Sequence, residues 1–284
     1  MQFNNNSRQQ ALDTFNNLSA NHQDQMRLSS VRLTNGEFTG SGVLVRDADN
    51  VIGIITAKHN LCVNADINTP TVWNETDTID LINQFLTDLV VGYNAQQVGL
   101  SPGNTENLNS VNSDIEFHSG FGSWDYDLMF ISFKTDLAIR SWVNEQVGRC
   151  IDYTRNGTEL YQQSQENRTV FTTGFGDMLT HQGNQPNFNH FLQVRSANIT
   201  NSARQVLRHQ NPNTNFHSVI SATASNNTST APGDSGGPMF CVYQNNVYLL
   251  GVTLGSNFAH NEIINDNPIV SNEVTYLYNQ GELF

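Results

Sequence analysis

Short runs of apolar and β-branched residues, each ended by a turn signal, constrain the fold of this 284-residue chain more than any other feature. Early examples are "SSVRL", "GVLVRD" and "NVIGIITA", which are separated by Asn-Gly and Asp-Ala-Asp-Asn turns. Later runs include "DLMFISF", "TVFTTGFG", "VISATA", "PMFCVY" and "VYLLGVTLG". Many short strands at this spacing are typical of an antiparallel barrel or sandwich, so the sequence predicts an all-β fold.

Two segments depart from the strand pattern and predict helices. Residues 7–27 begin with a capping box, and their apolar residues recur at helical spacing. Residues 75–92 also have one apolar face, and the polar stretch that follows, to about residue 120, predicts a loop. The chain thus divides into an N-terminal helical extension, residues 1–27, and a β-region, residues 28–284. The extension could cap the β-fold or offer a surface to a regulator.

The charge balance argues against one class of partner. Lys and Arg number 13 against 26 Asp and Glu, which gives a net charge of −13. Such a surface repels phosphate backbones, so no nucleic acid partner is expected.

No run of 18 apolar residues occurs, so no membrane partner is expected either. The N-terminus has no apolar run of the signal-peptide type, which favours a cytoplasmic location; a secreted protein whose signal had been removed would look the same.

The cysteine count does not support a disulfide framework. Cys62, Cys150 and Cys241 are odd in number and form no Cys-X-X-Cys pair. Unpaired thiols fit a reducing compartment and are expected in the core. The sequence contains no metal-ligand cluster and no phosphate-binding loop, so no metal and no cofactor is expected.

The hexapeptide "GDSGGP", Gly233–Pro238, surrounds one serine with residues of high backbone freedom. A serine hydroxyl is a weak nucleophile at neutral pH, and it needs a general base and a third group that orients this base. It also needs N–H donors aimed at the oxyanion that forms on the attacked carbonyl. Glycines permit the tight turns that aim such donors inward. An apolar strand follows the hexapeptide, so Ser235 is a candidate nucleophile rather than part of a simple surface turn.

The hexapeptide resembles the nucleophile motif of the chymotrypsin/trypsin-like serine endopeptidases. That resemblance implies a catalytic triad in the chain order His, Asp, Ser. The segment "IITAKHNLC" resembles the family's Thr-Ala-Ala-His-Cys and indicates His59 as the base. Seven other histidines compete, but none of them follows a strand that ends in Thr-Ala. The segment "SWDYDLMFISF" indicates Asp127 as the orienting acid, with Asp125, two residues earlier, as the rival.

The resemblance continues in order through "VFTTGFG", "HFLQVRSANI", "VISATASNN", "LGVTLGSN" and "PIVSNEVTYL". It therefore covers roughly residues 28–280. It implies two six-stranded antiparallel β-barrels, about residues 28–150 and 151–284, with the triad at their junction. The long span between His59 and Asp127 contains the predicted helix, which would be an insertion in the first barrel that borders the substrate cleft. The insertion could narrow specificity, dock a regulator or have no function.

The resemblance also implies how a protein or peptide substrate would bind. The oxyanion hole would consist of the backbone N–H groups of Gly233 and Ser235. The substrate backbone would pair as an added strand with Thr253, Leu254 and Gly255. Ser229 is expected at the base of the specificity pocket, which disfavours Arg or Lys in the substrate, and Ile269 would shorten the pocket. A small or medium-sized uncharged substrate residue is therefore expected.

The chain departs from the family in its disulfides and in its activation sequence. Asn60 replaces the cysteine after the histidine, Ala231 replaces another half-cystine, and Val170 stands where the partner of Cys241 is expected. No Arg-Ile-Val-Gly-Gly sequence supplies the free amine that would pair with the acid before the nucleophile, here Asp234. A buried unpaired charge is costly, so Asp234 needs another donor if it is buried. Either the site is built constitutively or an activating protein partner organises it.

The sequence therefore predicts a serine endopeptidase that acts through an acyl-enzyme. The alternative from another class is a binding module on an inactive protease scaffold. Such relatives usually lose a triad residue, whereas His59, Asp127 and Ser235 are all present here.

Overall fold

The computed structural model describes most of both halves of the chain. The described residues are 2–3, 5–36, 38–46, 51–62, 75–117, 128–134, 137–145, 151–152, 168–176, 179–180, 190–207, 215–224, 230–231, 233–256 and 270–276.

The helices within this part are α1 (Asn5–Asn16), α2 (Ala20–Ser29), α3 (Glu75–Leu86) and α4 (Ala138–Glu145). The single helix predicted over residues 7–27 is in fact α1 and α2. Ser19 separates them because its backbone is extended and its hydroxyl accepts the N–H of His22 at 3.2 Å, which begins a new helix. None of the described helices has the length and hydropathy required to cross a bilayer.

The N-terminal half forms an eight-stranded sheet. Its strands are β2 (Ser30–Thr34), β3 (Thr39–Arg46), β4 (Ile52–Thr56), β5 (Leu89–Tyr93), β6 (Asn104–Leu108), β7 (Ser113–Phe117), β8 (Met129–Phe133) and β9 (Ile151–Asp152). The hydrogen-bonded order is β6-β5-β2-β3-β4-β8-β7, and β9 pairs in parallel with β3. A short strand β1 (Gln2–Phe3) lies outside this sheet.

The sheet of the N-terminal half is curled strongly. Strands β6 and β7 lie at opposite ends of the hydrogen-bonded order, yet only residues 109–112 separate them in the chain. Because such a short connection cannot span an open sheet, the edge strands β6 and β7 must lie close to each other. Here the sequence-based prediction was wrong twice: helix α3 ends at Leu86 and not at residue 92, and the predicted loop contains β6 and β7. Strand β6 is mostly exposed and polar, and it lacks the apolar alternation that would have revealed it.

The C-terminal half forms a closed six-stranded barrel in the order β10-β12-β13-β16-β15-β14, with neighbouring strands antiparallel. The strands that follow β9 are β10 (Thr169–Gly174), β11 (Leu179–Thr180), β12 (Gln193–Leu207), β13 (Asn215–Ala224), β14 (Pro238–Tyr243), β15 (Asn246–Ser256) and β16 (Val270–Tyr276). Strand β11 pairs with β1 instead.

The cysteine predicted for the core of this barrel is there. Cys241 is fully buried on β14, and its Cα partner across the ladder is Val170, as the resemblance implied. Burial raises the pKa of the Cys241 thiol to about 12, so the thiol stays protonated and inert at neutral pH.

One hydrophobic core joins the two halves and the N-terminal helices. It contains Phe15 of α1, Met26 of α2, Val43 of β3 and Phe171 of β10. The rings of Phe15 and Phe171 meet edge to face, with their centroids 6.2 Å apart. The apolar face of α1 is thus buried against the β-fold, which favours the capping role over a surface for a regulator.

Candidate active site

His59 lies at the end of a fully buried strand. Strand β4 ends at Thr56, and a 3₁₀ turn over Lys58–Cys62 follows, on which His59 is half-buried. Thr56, the last residue of β4, pairs with Met129, the first residue of β8. The end of β4 that leads to His59 therefore lies beside the beginning of β8. The predicted orienting acid Asp127 and its rival Asp125 lie outside the described residues.

Ser235 lies in a turn that requires glycine on both sides. Gly233 and Gly236 have φ angles of +88° and +80°, a region that side chains disfavour. A Cβ at Gly236 would lie 2.0 Å from Thr56 Oγ1 and 2.3 Å from the carbonyl oxygen of Ser41. The nucleophile turn, residues 233–237, therefore packs directly against β3 and β4 of the other half, beside the His59 segment.

The three peptide units of this turn are fixed one after another. In the unit between Gly233 and Asp234, the C=O accepts the Ser41 hydroxyl at 2.8 Å and the N–H donates to Ala231 at 3.0 Å. In the unit between Ser235 and Gly236, the C=O accepts the Ser41 N–H at 2.8 Å. The N–H of that unit donates to Thr253 at 2.9 Å. Both units that flank the Asp234–Ser235 peptide are thus held at both ends.

In the central peptide unit, between Asp234 and Ser235, only the C=O bonds to another described residue. The C=O of Asp234 accepts the N–H of Gly237 at 2.9 Å. The N–H groups of Ser235 and Gly233 donate to no acceptor within the part of the chain that the structure describes. The Ser235 hydroxyl likewise forms no hydrogen bond there, to His59 or to any other described residue; such bonds are often long before substrate binds. Two donors beside an available hydroxyl are the arrangement that oxyanion stabilisation requires.

Asp234 has internal partners. Its carboxylate is fully buried and accepts the N–H of Gly176 at Oδ1 and the N–H of Ala231 at Oδ2, both at 2.9 Å. Arg195 of β12 is also fully buried. Burial lowers the pKa of Arg195 to about 10, and the negative charge of Asp234 opposes that shift. Two N–H groups and the buried Arg195 cation thus compensate the negative charge of Asp234, for which the sequence alone identified no partner.

Sequence reasoning missed two residues of the site. The Asn60 side chain is almost fully buried and its Nδ2 donates to Thr56 Oγ1 at 3.0 Å and to the Ser235 carbonyl oxygen at 3.2 Å. Asn60 thus joins the base segment, residues 57–62, to the nucleophile turn, where the family has a cysteine. Ser41 bonds to the same turn from β3. The sequence marked Asn60 only as a departure from the family and did not mark Ser41, so the three-dimensional contacts are needed to reveal both roles.

The residues predicted to line the substrate cleft are described in part. Thr253 is buried on β15, where its N–H and its hydroxyl both donate to the Gly237 carbonyl oxygen, at 2.8 and 2.9 Å. The pairing register of β15 shifts between Thr253 and Gly255, which is the signature of a β-bulge around Leu254. Ser229 and Ile269 lie outside the described residues. Within the described part of the chain, no group of three His, Cys, Asp or Glu side chains could hold a metal ion.

Comparison with known proteins identifies the class of this fold and site. The profile of the Trypsin family matches residues 19–279, so the chain belongs to the Trypsin family. The family resemblance and the predicted fold class, a double antiparallel β-barrel fold of chymotrypsin type, are thereby confirmed.

Individual relatives are distant. A search of curated protein sequences gave no significant match. Among solved structures, the Rv3671c protease in its inactive form has 12% identity and a TM-score of 0.45; the match covers 89% of this chain and 85% of that one. A serine-to-alanine mutant of Rv3671c from M. tuberculosis H37Rv, also in the inactive form, has 13% identity and a TM-score of 0.43, with 88% and 82% covered.

Proposed function

We propose that the protein is a serine endopeptidase that hydrolyses peptide bonds through an acyl-enzyme. The observation that carries this proposal is the nucleophile turn, in which three successive peptide units are fixed while the N–H groups of Ser235 and Gly233 bond to no acceptor among the described residues. Membership of the Trypsin family supports the same reaction class.

In the proposed mechanism Ser235 Oγ attacks the carbonyl carbon of the scissile peptide bond, and His59 takes the hydroxyl proton. The N–H groups of Gly233 and Ser235 donate to the resulting oxyanion. The C–N bond then breaks as His59 returns the proton to the leaving amine. Water, activated by His59, hydrolyses the ester. Asp127 would accept a hydrogen bond from the other ring nitrogen of His59 and so fix its tautomer.

The proposed enzyme is active without a partner. The strongest reason to invoke an activator was the lack of a free amine for Asp234. The bonds from Gly176 and Ala231, together with the opposite charge of Arg195, fulfil that requirement from within the chain. The partner-gated alternative therefore loses its main argument, although the chemistry would be the same.

The proposed substrate is an extended segment of a protein or peptide with a small or medium-sized uncharged residue before the cleaved bond. This specificity rests on Ser229 and Ile269 and on the family resemblance. The substrate backbone would add to β15 beside Thr253, Leu254 and Gly255.

A fluorophosphonate probe tests the proposal, because it phosphonylates only an activated serine. The purified chain should be labelled at Ser235, and Ser235→Ala should abolish labelling. His59→Ala should slow labelling by several orders of magnitude, whereas His190→Ala, at a half-buried rival histidine, should not. Asp127→Asn should lower kcat by about 10⁴-fold, and the matched Asp125→Asn change should leave it near that of the wild type.

The outcomes separate the alternatives. Labelling that appears only after cell extract is added would establish the partner-gated protease. No labelling with or without extract would leave the binding module as the better account. Cleavage-site profiling on a peptide library then measures specificity, and cleavage after Arg or Lys would overturn the proposed preference.

A further inference from the structure

Ser41 is a buried serine of the N-terminal half with every polar group engaged. It lies on β3 with no exposed surface. Its carbonyl oxygen accepts the Thr56 hydroxyl at 2.7 Å, and its N–H donates to Ser235 at 2.8 Å. Its hydroxyl donates to the Gly233 carbonyl oxygen at 2.8 Å and accepts the N–H of Phe175 at 2.9 Å. A single side chain thus joins three segments that come from different parts of the chain.

The two bonds from Ser41 to the nucleophile turn lie on either side of the Ser235 N–H. One fixes the peptide unit after Gly233, and the other fixes the unit after Ser235. The orientation of the intervening N–H depends on the backbone torsions that these two units define. Gly233 has a positive φ and no side chain, so without an external bond its peptide unit would rotate more readily than that of any other residue type.

The Phe175 bond extends this control to the partner of Asp234. The next residue, Gly176, donates its N–H to Asp234 Oδ1. The Ser41 hydroxyl therefore holds the arm of residues 175–176, which binds the Asp234 carboxylate, in a fixed position relative to the Gly233 carbonyl. The Ser41 hydroxyl thus contacts both the Gly233 carbonyl and the segment that binds the Asp234 carboxylate.

We propose that the Ser41 hydroxyl is a positioning group for the oxyanion hole: it fixes the Gly233 peptide unit and so aligns the nearby Ser235 N–H without touching the substrate. This inference rests on the proposed function. Ser41→Ala removes only the hydroxyl and leaves the backbone N–H bond to Ser235 in place. The variant should lose at least about tenfold in kcat with little change in KM, because the hole acts on the transition state more than on the bound substrate.

A matched control separates positioning from general loosening of the junction. Ser30 on β2 is equally buried, and its hydroxyl also bridges the two halves, with Thr173 Oγ1 at 2.5 Å and the Met26 carbonyl oxygen at 2.7 Å. Among the described residues, this hydroxyl bonds to no part of the nucleophile turn. Ser30→Ala should lower the melting temperature about as much as Ser41→Ala but leave kcat near that of the wild type.

The experiment measures kcat, KM and the affinity for a peptide aldehyde, whose adduct with Ser235 places an oxyanion in the hole. For Ser41→Ala, aldehyde affinity should fall by the same factor as kcat/KM, and Ser41→Thr, which restores a hydroxyl, should recover part of both. An unchanged kcat in Ser41→Ala would overturn the inference. Equal loss of kcat in Ser30→Ala would overturn it as well.

Hydrogen–deuterium exchange supplies a readout that does not depend on activity. Ser41→Ala should speed amide exchange in residues 231–240, whereas Ser30→Ala should not. If the wild-type chain neither turns over substrate nor reacts with a fluorophosphonate, the proposed function fails, and exchange alone decides the role of Ser41. Unchanged exchange in this segment would then overturn the inference.

Discussion

The nucleophile turn and the base segment meet at the same junction but are held in different ways. In the turn, most of the bonds join backbone groups, with partners on β3, on β15 and at Ala231, and the Ser41 hydroxyl adds a side-chain bond. In the base segment, side chains carry much of the attachment: Asn60 donates to the nucleophile turn, and the buried Lys58 ammonium lies 5.5 Å from the centre of the Phe117 ring. The turn should therefore tolerate almost no change in shape, whereas the base segment should respond in a graded way to individual side chains.

Gly236→Ala should have the largest effect, because its Cβ would overlap Thr56 Oγ1 and the Ser41 carbonyl oxygen. Backbone atoms cannot move aside without displacing β3. The expected loss is on the order of 5 kcal/mol of unfolding free energy, with no detectable turnover. Gly36→Ala is the matched control: Gly36 has a φ of +88°, but a Cβ there would meet nothing within 4 Å, so strain alone should cost about 1–2 kcal/mol. Chemical denaturation of both variants measures the difference, and equal losses would show that crowding is not the cause.

Arg195→Met should have the next largest effect. It leaves the fully buried Asp234 carboxylate without the cation that opposes its charge, and breaking a buried pair costs about 3–5 kcal/mol. The nucleophile turn should loosen, and fluorophosphonate labelling of Ser235 should slow. Adding Asp234→Asn removes the uncompensated charge, so the double variant should recover part of the stability seen in urea titrations. A double variant that is less stable than Arg195→Met would contradict this account of Asp234.

The nucleophile turn also shows what a sequence can reveal. Its motif is contiguous, so Gly233, Ser235 and Gly236 were identifiable from "GDSGGP" alone, and the strand patterns around it predicted an antiparallel barrel or sandwich. The partner of Asp234 was not identifiable in this way. Arg195 lies on β12, inside the segment "HFLQVRSANI", and nothing local distinguishes an arginine that will be buried from one that faces solvent.

The base segment shows what a sequence leaves hidden. The sequence located His59 through the strand that precedes it, yet it marked Asn60 only as a departure from the family. Its role depends on the Ser235 carbonyl, 175 residues away in the chain. The predicted loop after residue 92 failed for a related reason, because β6 and β7 are specified by pairing with β5 and β8 and not by their own polar residues.

Asn60→Asp tests the link between the two regions. The carboxylate has nearly the shape of the amide but cannot donate to the Ser235 carbonyl oxygen, and it places an acceptor against an acceptor in a buried site. The variant should lose about 1–3 kcal/mol of stability and part of its kcat. Asn60→Ala, which removes the clash as well as the bond, should be less damaging to kcat. Thermal melting and steady-state kinetics compare the two, and a fully active Asn60→Asp enzyme would rule out a role for this amide.

Phe117→Leu should have the smallest effect and confines the test to the base segment. It keeps an apolar side chain on β7 but removes the ring that lies under the Lys58 ammonium. A desolvated cation–π contact contributes about 1–2 kcal/mol, so the melting temperature should fall by a few degrees. Amide exchange in residues 231–240 should not change. Faster exchange there would show that the two regions are mechanically coupled, and the contrast between a rigid turn and a tunable base segment would fail.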